Sequence, residues 1–440
     1  MTRPDHPYGA LFASLLGGAL ATAACTRGDG AEASSATTST TSTAAGQSAG
    51  SGGAGSGGAG SGGAGSGGAG GGVASTLDEL LAALRADRDG ALLAQSRASG
   101  WPAPVEGGYL VVSTDPALAQ VAGDHDGWTG VALTKDEGFA WAVVPLEPGD
   151  GYKLKSAATF SADPWSRAYR YDDNGELSLV AAEGAARFDR HFAIAHGTLP
   201  PRTVRVRVPK EPATHLLYLA DGQNLFDPAA PWGGWRLDES APGDMMLVGI
   251  DNTAARMDEY THVADDLGSG AVGGLADAYA DLVEEAVRPL VLLHYGEPSK
   301  LGVMGSSLGG LVSLHLADRA PASYHFAASL SGTLGWGSIG AGVHEETIIE
   351  RLAAHGHQSF AVYLDSGGSG TCADTDADGI DDDGDDSDNY CVTKQLEAAL
   401  AFAGYTYDQD FSHWHEPGAE HNEAAWAARV FRPLAMFAGL

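Results

Sequence analysis

The chain has 440 residues, 44% of them hydrophobic, so a sizeable core can form and the length predicts two or three domains. Lys and Arg number 25 against 57 Asp and Glu, a net charge of −32. That balance excludes nucleic acid, whose phosphates need Lys and Arg, and argues against an anionic membrane surface.

Residues 1–25 carry Arg3 and then an apolar run from Ala10 to Ala24, with Leu11, Phe12, Leu15, Leu16 and Leu20. The run is too short to span a bilayer and reads as an export signal. Ala23-Ala24-Cys25 resembles the lipobox of bacterial lipoproteins, although Thr22 stands where leucine is usual. The resemblance implies that Cys25 is lipidated and becomes the first mature residue. The expected location is the cell envelope, periplasmic or outer surface, with membrane contact only through the lipid, or otherwise secretion. Residues 26–74 are mostly Ser, Thr, Ala and Gly, including four copies of Ser-Gly-Gly-Ala-Gly. Such a segment cannot bury a core and reads as a flexible linker, with a root-mean-square span of roughly 35 to 40 Å.

Residues 75–187 read as a helix followed by a small all-β sandwich. Ser75-Thr76 is a cap, Leu77, Leu80, Leu81 and Leu84 recur at helical spacing, and Asp89-Gly90 ends the run. The period then changes to two in Tyr109–Val112, Gly130–Leu133, Phe139–Val144 and Gly151–Lys155, separated by Gly, Asp or Pro turns. Gly123-Asp124-His125-Asp126-Gly127-Trp128 and Asp163-Pro164-Trp165-Ser166 resemble the N-terminal domain of enterochelin esterases and related glycan-binding modules. The resemblance implies that Trp128, Trp141 and Trp165 stack on a sugar, whereas burial is the usual fate of such rings.

Residues 188–440 alternate strands and helices, which predicts an α/β fold with a mainly parallel sheet covered on both faces. The strands expected are Arg202–Val208, His215–Leu219, Met245–Ile250, Leu301–Met304, His325–Ser331 and Phe360–Leu364; helices are expected at Leu275–Leu293 and Tyr390–Ala403. Gly305-Ser306-Ser307-Leu308-Gly309 stands between a strand and a helix. It fits the nucleophile elbow G-x-S-x-G, in which small residues flank a serine on a tight turn and the next N–H, here that of Leu308, faces a developing oxyanion. The order strand, strand, helix, elbow, helix is that of an α/β-hydrolase.

Four segments carry a closer resemblance: Tyr218 to Asp227; Val248 to Asn252 with Arg256, Glu259 and Tyr260; Gly305 to Gly310; and Ala419 to Glu423 with Trp426 and Arg429. In order and spacing they resemble the esterase family that includes enterochelin esterases, feruloyl esterases and esterase D. The resemblance covers residues 190–440. It implies Ser307 as nucleophile, His421 as general base, and Gly222 and Gln223 beside Leu308 as oxyanion donors. It further implies substrate contacts from Arg256, Trp336 and Trp414, with His413 and His415 lining the pocket. Asp221 is expected to shape its loop. The chemistry agrees: a serine hydroxyl becomes nucleophilic when an imidazole takes its proton, and a carboxylate holds that imidazole's tautomer.

The acid departs from the family pattern. Its usual place falls near Gly370, where this chain carries an insert bounded by Cys372 and Cys391 with nine aspartates and no basic residue between them. Asp388, just before a helix, and Asp365, ending a strand, are both candidates. A Cys372–Cys391 bridge, with Cα atoms about 6 Å apart, returns Asp388 to the place of Gly370 and favours it, with Asp365 second. An exported chain suits such a disulfide. Asp374, Asp376, Asp378, Asp382 and Asp385 follow a D-x-D-x-D-G spacing with oxygens at the ninth and twelfth places, and resemble the calcium loops of thrombospondin type 3 and dockerin repeats. A structural Ca2+ is therefore expected; the catalysis expected here needs no cofactor.

The activity expected is serine carboxylic-ester hydrolysis through an acyl-enzyme, on a carbohydrate, phenolic or siderophore ester. A ferric siderophore is anionic and wants a basic cleft, for which Arg256 and Arg236 are the candidates. The alternative is an envelope-tethered glycan-binding protein whose hydrolase domain is inactive. No partner protein is evident.

Overall fold

The computed structural model describes residues 76–296, 298–340, 343–369, 371–382 and 388–440. The signal peptide, the linker, Cys25, Gly370 and Asp385 lie outside the described residues. No described helix is long and apolar enough to cross a membrane.

Eight strands carry the C-terminal fold: β1 (Arg187–Ile194), β2 (Arg202–Val208), β3 (His215–Leu219), β4 (Met245–Ile250), β5 (Lys300–Ser306), β6 (Phe326–Leu330), β7 (Ala361–Ser366) and β8 (Phe411–His415). They lie side by side in the order β8-β7-β6-β5-β3-β4-β2-β1. From β4 to β8 neighbouring strands are parallel, while β2 runs antiparallel to both β4 and β1. The chain leaves β3, pairs β4 on one side, and returns to place β5 on the other. At such a reversal the loops beyond the carboxyl ends of the strands diverge and leave a crevice.

Alternation of side chains along the strands builds a core on each face. Leu216, Tyr218, Leu301, Val303, Val362 and Leu364 face one layer of helices, and Leu217, Leu219, Met304, Tyr363 and Phe326 face the other. Five helices matter to the site. α1 (Ala276–Tyr295) winds through one wider π turn at Val283–Val287. α2 (Leu308–Arg319) follows β5, α3 (Ile348–His355) precedes β7, α4 (Tyr390–Ala403) lies between β7 and β8, and α5 (Glu423–Arg429) follows β8.

Three expectations change. The N-terminal helix is two helices, Leu77–Ala86 and Arg88–Ala98, because Asp87 adopts an extended backbone and caps the second through Gly90 N–H. The large sheet is mixed rather than mainly parallel. It runs past β1 through Ala168–Asp172, Gly175–Leu179, Gly151–Lys155 and Gln120–Gly123, all antiparallel, so residue 188 lies inside a strand and not at a boundary. A separate four-stranded sheet built on Gly108–Ser113 and Ala140–Val144 shares a core with that extension, Val111, Ala142 and Val144 meeting Val121, Tyr152 and Leu154. Trp141 and Trp165 pack against the core of the two N-terminal helices, and Trp128 against Ala168, Leu177 and Leu179.

Candidate active site

Ser307 stands between β5 and α2 with φ +56° and ψ −129°. A bulky residue does not hold φ in that region without cost, and the surroundings show what enforces it. A Cβ on Gly305 would lie 2.4 Å from the carbonyl oxygen of Gly309, and one on Gly310 would lie 2.4 Å from Ser329 Oγ. At Gly305 the clash is with backbone, so the turn closes only with glycine there, while at Gly310 the Ser329 side chain would have to move. Ser307 N–H is held by the carbonyl of Leu330 (2.9 Å), and its Oγ lies 3.5 Å from Thr333 Oγ1. The serine is 8% exposed. Leu308 opens a twelve-residue helix, so its N–H has no acceptor within that helix and adds to the positive end of the helix dipole.

The loop after β3 packs against this turn. Asp221 has φ +57° and introduces a short turn over Gly222–Asn224. Its carboxylate takes two bonds from Arg256, 2.8 and 2.9 Å, and one from Asn252 Nδ2 at 2.5 Å. Gly222 lies so close to β4 that a Cβ would come within 2.6 Å of the Gly249 carbonyl carbon. Gln223 accepts from the N–H of Asn252 at 3.0 Å. Asp221 thus shapes its loop, and the charge of Arg256 is matched by it.

His421 follows β8. Its Nδ1 lies 2.6 Å from Oδ1 of Asp388, and its ring stands edge-on to Trp426, centroids 5.0 Å apart. Its Nε2 is buried and has no hydrogen-bond partner among the described residues. Asp388 itself has φ +47° in the turn that leads into α4. The other carboxylate oxygen, Oδ2, accepts from Ser331 Oγ at 2.7 Å and from Gly367 N–H at 2.5 Å.

Ser331, in the loop after β6, was not singled out from the sequence. Its hydroxyl also accepts from Trp426 Nε1 at 3.1 Å and from Arg429 Nη2 at 2.7 Å. Trp426 and Arg429, three apart on α5, therefore share one helix face directed at this hydroxyl. Two residues on, Thr333 N–H donates to the carbonyl of Ser307 at 3.2 Å. One short loop thus touches both the serine turn and the carboxylate that faces the histidine.

The remaining expected residues fall in different places. Asp365 does not touch His421; it is fully buried, receives Arg429 Nε at 3.0 Å, and its carboxyl is pushed up to about 7 by burial, partly offset by Arg429. Trp336 is a correction: it is 0% exposed and donates to the Val263 carbonyl at 2.9 Å, so it fills the core and meets no substrate. Trp414 lines a cavity of about 250 Å³ at the sheet edge with Tyr363, Ser412 and Arg432, and its ring face is covered by the Arg432 guanidinium at 3.3 Å. His413 and His415 point to the opposite face of β8, His413 to Glu397 and His415 onto Tyr390. Neither lines that cavity. Arg236 is occupied by Glu239.

Cys372 and Cys391 form a disulfide, with Cα atoms 5.2 Å apart. In the insert, oxygens of Asp374, Asp376 and Asp382 lie within 4.8 Å of one another. Asp378 departs from the expected set, because its Oδ2 bonds Ser338 Oγ and lies 3.6 Å from His344 Nδ1.

The family model described as Putative esterase matches residues 197–437. No curated protein matches the chain. Among solved structures, the enterobactin esterase of Shigella flexneri is 15% identical, with 75% of this chain and 92% of that one covered and a TM-score of 0.42. An IroE-like serine hydrolase of Shewanella oneidensis is 16% identical, with 57% and 80% covered and a TM-score of 0.42. A siderophore hydrolase of Aspergillus nidulans is 18% identical, with 59% and 96% covered and a TM-score of 0.39.

Proposed function

The chain belongs to the family described as Putative esterase and is a carboxylic ester hydrolase; from that premise we propose that it works as a serine esterase through an acyl-enzyme, with Ser307, His421 and Asp388 as its triad. The observation that carries this reading is the 2.6 Å contact of Asp388 with Nδ1 of His421, which leaves the buried Nε2 unpartnered. A carboxylate on Nδ1 fixes the tautomer in which Nε2 is the base.

In the proposed reaction Ser307 Oγ forms a bond to the ester carbonyl carbon as its proton passes to His421 Nε2. The carbonyl π electrons move to oxygen, and that oxyanion faces the N–H groups of Leu308 and of Gly222 or Gln223. Collapse breaks the bond to the alcohol oxygen, which takes the proton from His421. Water then repeats the sequence, gives its proton to Nε2, and releases the acid and Ser307. Asp388 holds the ring through Nδ1 and stabilises the imidazolium.

The substrate we propose is a small-molecule or carbohydrate ester: carbohydrate, phenolic or siderophore. Pairing of Arg256 with Asp221 and of Arg236 with Glu239 favours an uncharged one. Export with a lipid on Cys25 is proposed from the sequence, as is a Ca2+ in the insert; of its five expected ligands, Asp374, Asp376 and Asp382 have converging oxygens. The test of function is hydrolysis of short nitrophenyl acyl esters by the purified protein. Turnover that disappears in Ser307→Ala supports the reading, and turnover that persists there overturns it.

A further inference from the structure

Between the turn Gly222–Asn224 and β4 the chain makes a tight excursion, Pro231-Trp232-Gly233-Gly234-Trp235-Arg236. Trp232 is the one tryptophan among the described residues left exposed, at 59%. Its backbone has φ +51°, a left-handed conformation that a bulky side chain adopts only when the loop dictates it. The loop does dictate it. Trp235 N–H is held by the Asn224 carbonyl at 2.9 Å and Leu237 N–H by the Leu225 carbonyl at 3.0 Å, while Gly233 and Gly234 N–H bond back to Ala230 and Pro231. A Cβ on Gly234 would lie 2.6 Å from the Asp227 carbonyl oxygen, so the chain there lies flush on itself.

The same loop is bound to the segment that carries the histidine. Pro231–Gly233 packs against α5. Trp235 meets Trp426 at 5.9 Å, and Trp426 meets His421 at 5.0 Å. Asn224 Nδ2 donates to Glu423, two residues past His421, at 3.1 Å. The loop that carries Trp232 is thus fixed between the turn Gly222–Asn224 and α5, the helix that follows His421. The Trp232 indole makes no ring, cation or hydrogen-bond contact among the described residues.

We infer that Trp232 forms a substrate subsite, an indole platform on which an uncharged ring of the leaving alcohol stacks. The inference rests on the serine-esterase reading above. Its geometry follows from the chemistry: the imidazole that protonates the departing oxygen must face the alcohol half of the ester, and Trp232 is tied to the element beside that imidazole. An uncharged ring is favoured because the charge of Arg256 is met by the Asp221 carboxylate through two hydrogen bonds. A loop whose backbone is already fixed costs no chain ordering when its indole is covered.

The test compares benzyl acetate, ethyl acetate and methyl benzoate with the full chain and its Trp232→Ala and Trp232→Phe variants. A stacking contact of ordinary strength predicts that Trp232→Ala lowers kcat/KM on benzyl acetate by about three- to tenfold. The loss should lie in KM, with ethyl acetate and methyl benzoate nearly unchanged, and Trp232→Phe should recover most of it. Equal losses on all three esters, no loss on any, or a loss confined to methyl benzoate would each overturn the subsite while leaving the serine-esterase reading in place. Failure of the wild-type protein to hydrolyse any of the three would overturn both.

Discussion

Asp388 faces His421 across 2.6 Å, although it comes from an insert between β7 and α4 and not from the end of a strand. The strand-end carboxylate, Asp365, is turned to Arg429 instead. Because Arg429 also donates to Ser331, and Ser331 to Asp388, the strand-end residue stands behind the acid as its support.

This division of labour predicts unequal costs. Asp388→Asn should lower kcat on the order of 10³- to 10⁴-fold, the size of effect expected when the imidazole loses its orienting carboxylate. Asp365→Asn should retain kcat within about tenfold, since it acts only through Arg429. Steady-state kinetics on one nitrophenyl ester decides between them; full activity in Asp388→Asn with none in Asp365→Asn would move the acid to the strand end.

The same buried carboxyl predicts a pH dependence of stability. Burial, partly countered by Arg429, raises Asp365 from 3.8 to about 7. A carboxyl whose folded value is raised binds its proton more tightly in the folded state, so its contribution is complete below about pH 4 and is lost as pH rises toward 7. Stability of the wild type should therefore fall over that window relative to Asp365→Asn, which resembles the neutral carboxyl. Urea midpoints measured for both proteins across the window test this, and parallel curves would contradict it.

Removing the Cys372–Cys391 bridge should act on both stability and turnover. The bridge closes a sequence separation of 19 residues, worth roughly 3 kcal/mol in the chain-entropy model. Asp388 lies in the turn that leads into α4, three residues before Cys391 in the first turn of that helix. Cys372→Ser should accordingly lower kcat in calcium-free buffer by more than the loss of folded protein accounts for. A kcat per folded molecule equal to the wild type's would show that the bridge supports the fold alone.

If the insert holds Ca2+, the ion should raise the melting temperature. At a hundredfold its Kd a ligand adds about 2.7 kcal/mol, and three carboxylates whose oxygens converge gain most from a shared cation. The comparison is thermal unfolding in chelator and in millimolar calcium, for the wild type and for Asp376→Asn. Identical melting temperatures in the two buffers would contradict a bound ion.

The serine turn, its flanking glycines and the parallel strands beside it were legible because each rests on local chemistry: small residues at a tight turn, and apolar runs closed by Gly or Asp. Strand β8, Phe411-Ser412-His413-Trp414-His415, was not, since its polar side chains are accommodated singly by Glu397, Tyr390 and Arg432 from elsewhere in the chain. Trp336 was misplaced because composition cannot tell a ring that fills a core from one that meets a ligand. Ser331 carries no signal of its own; its importance comes from three partners that the fold brings to one hydroxyl. The sheet's extension into the N-terminal region was hidden for a similar reason, as alternation marks a strand but not its neighbour.

Covalent trapping reads out the role of Ser307 as nucleophile without relying on any one substrate. The wild-type protein is treated with a fluorophosphonate, digested, and the modified residue mapped by mass spectrometry. One adduct is expected, on Ser307, formed in the wild type, greatly slowed in His421→Ala and absent in Ser307→Ala. An adduct on another residue, or labelling that persists undiminished in Ser307→Ala, would contradict it.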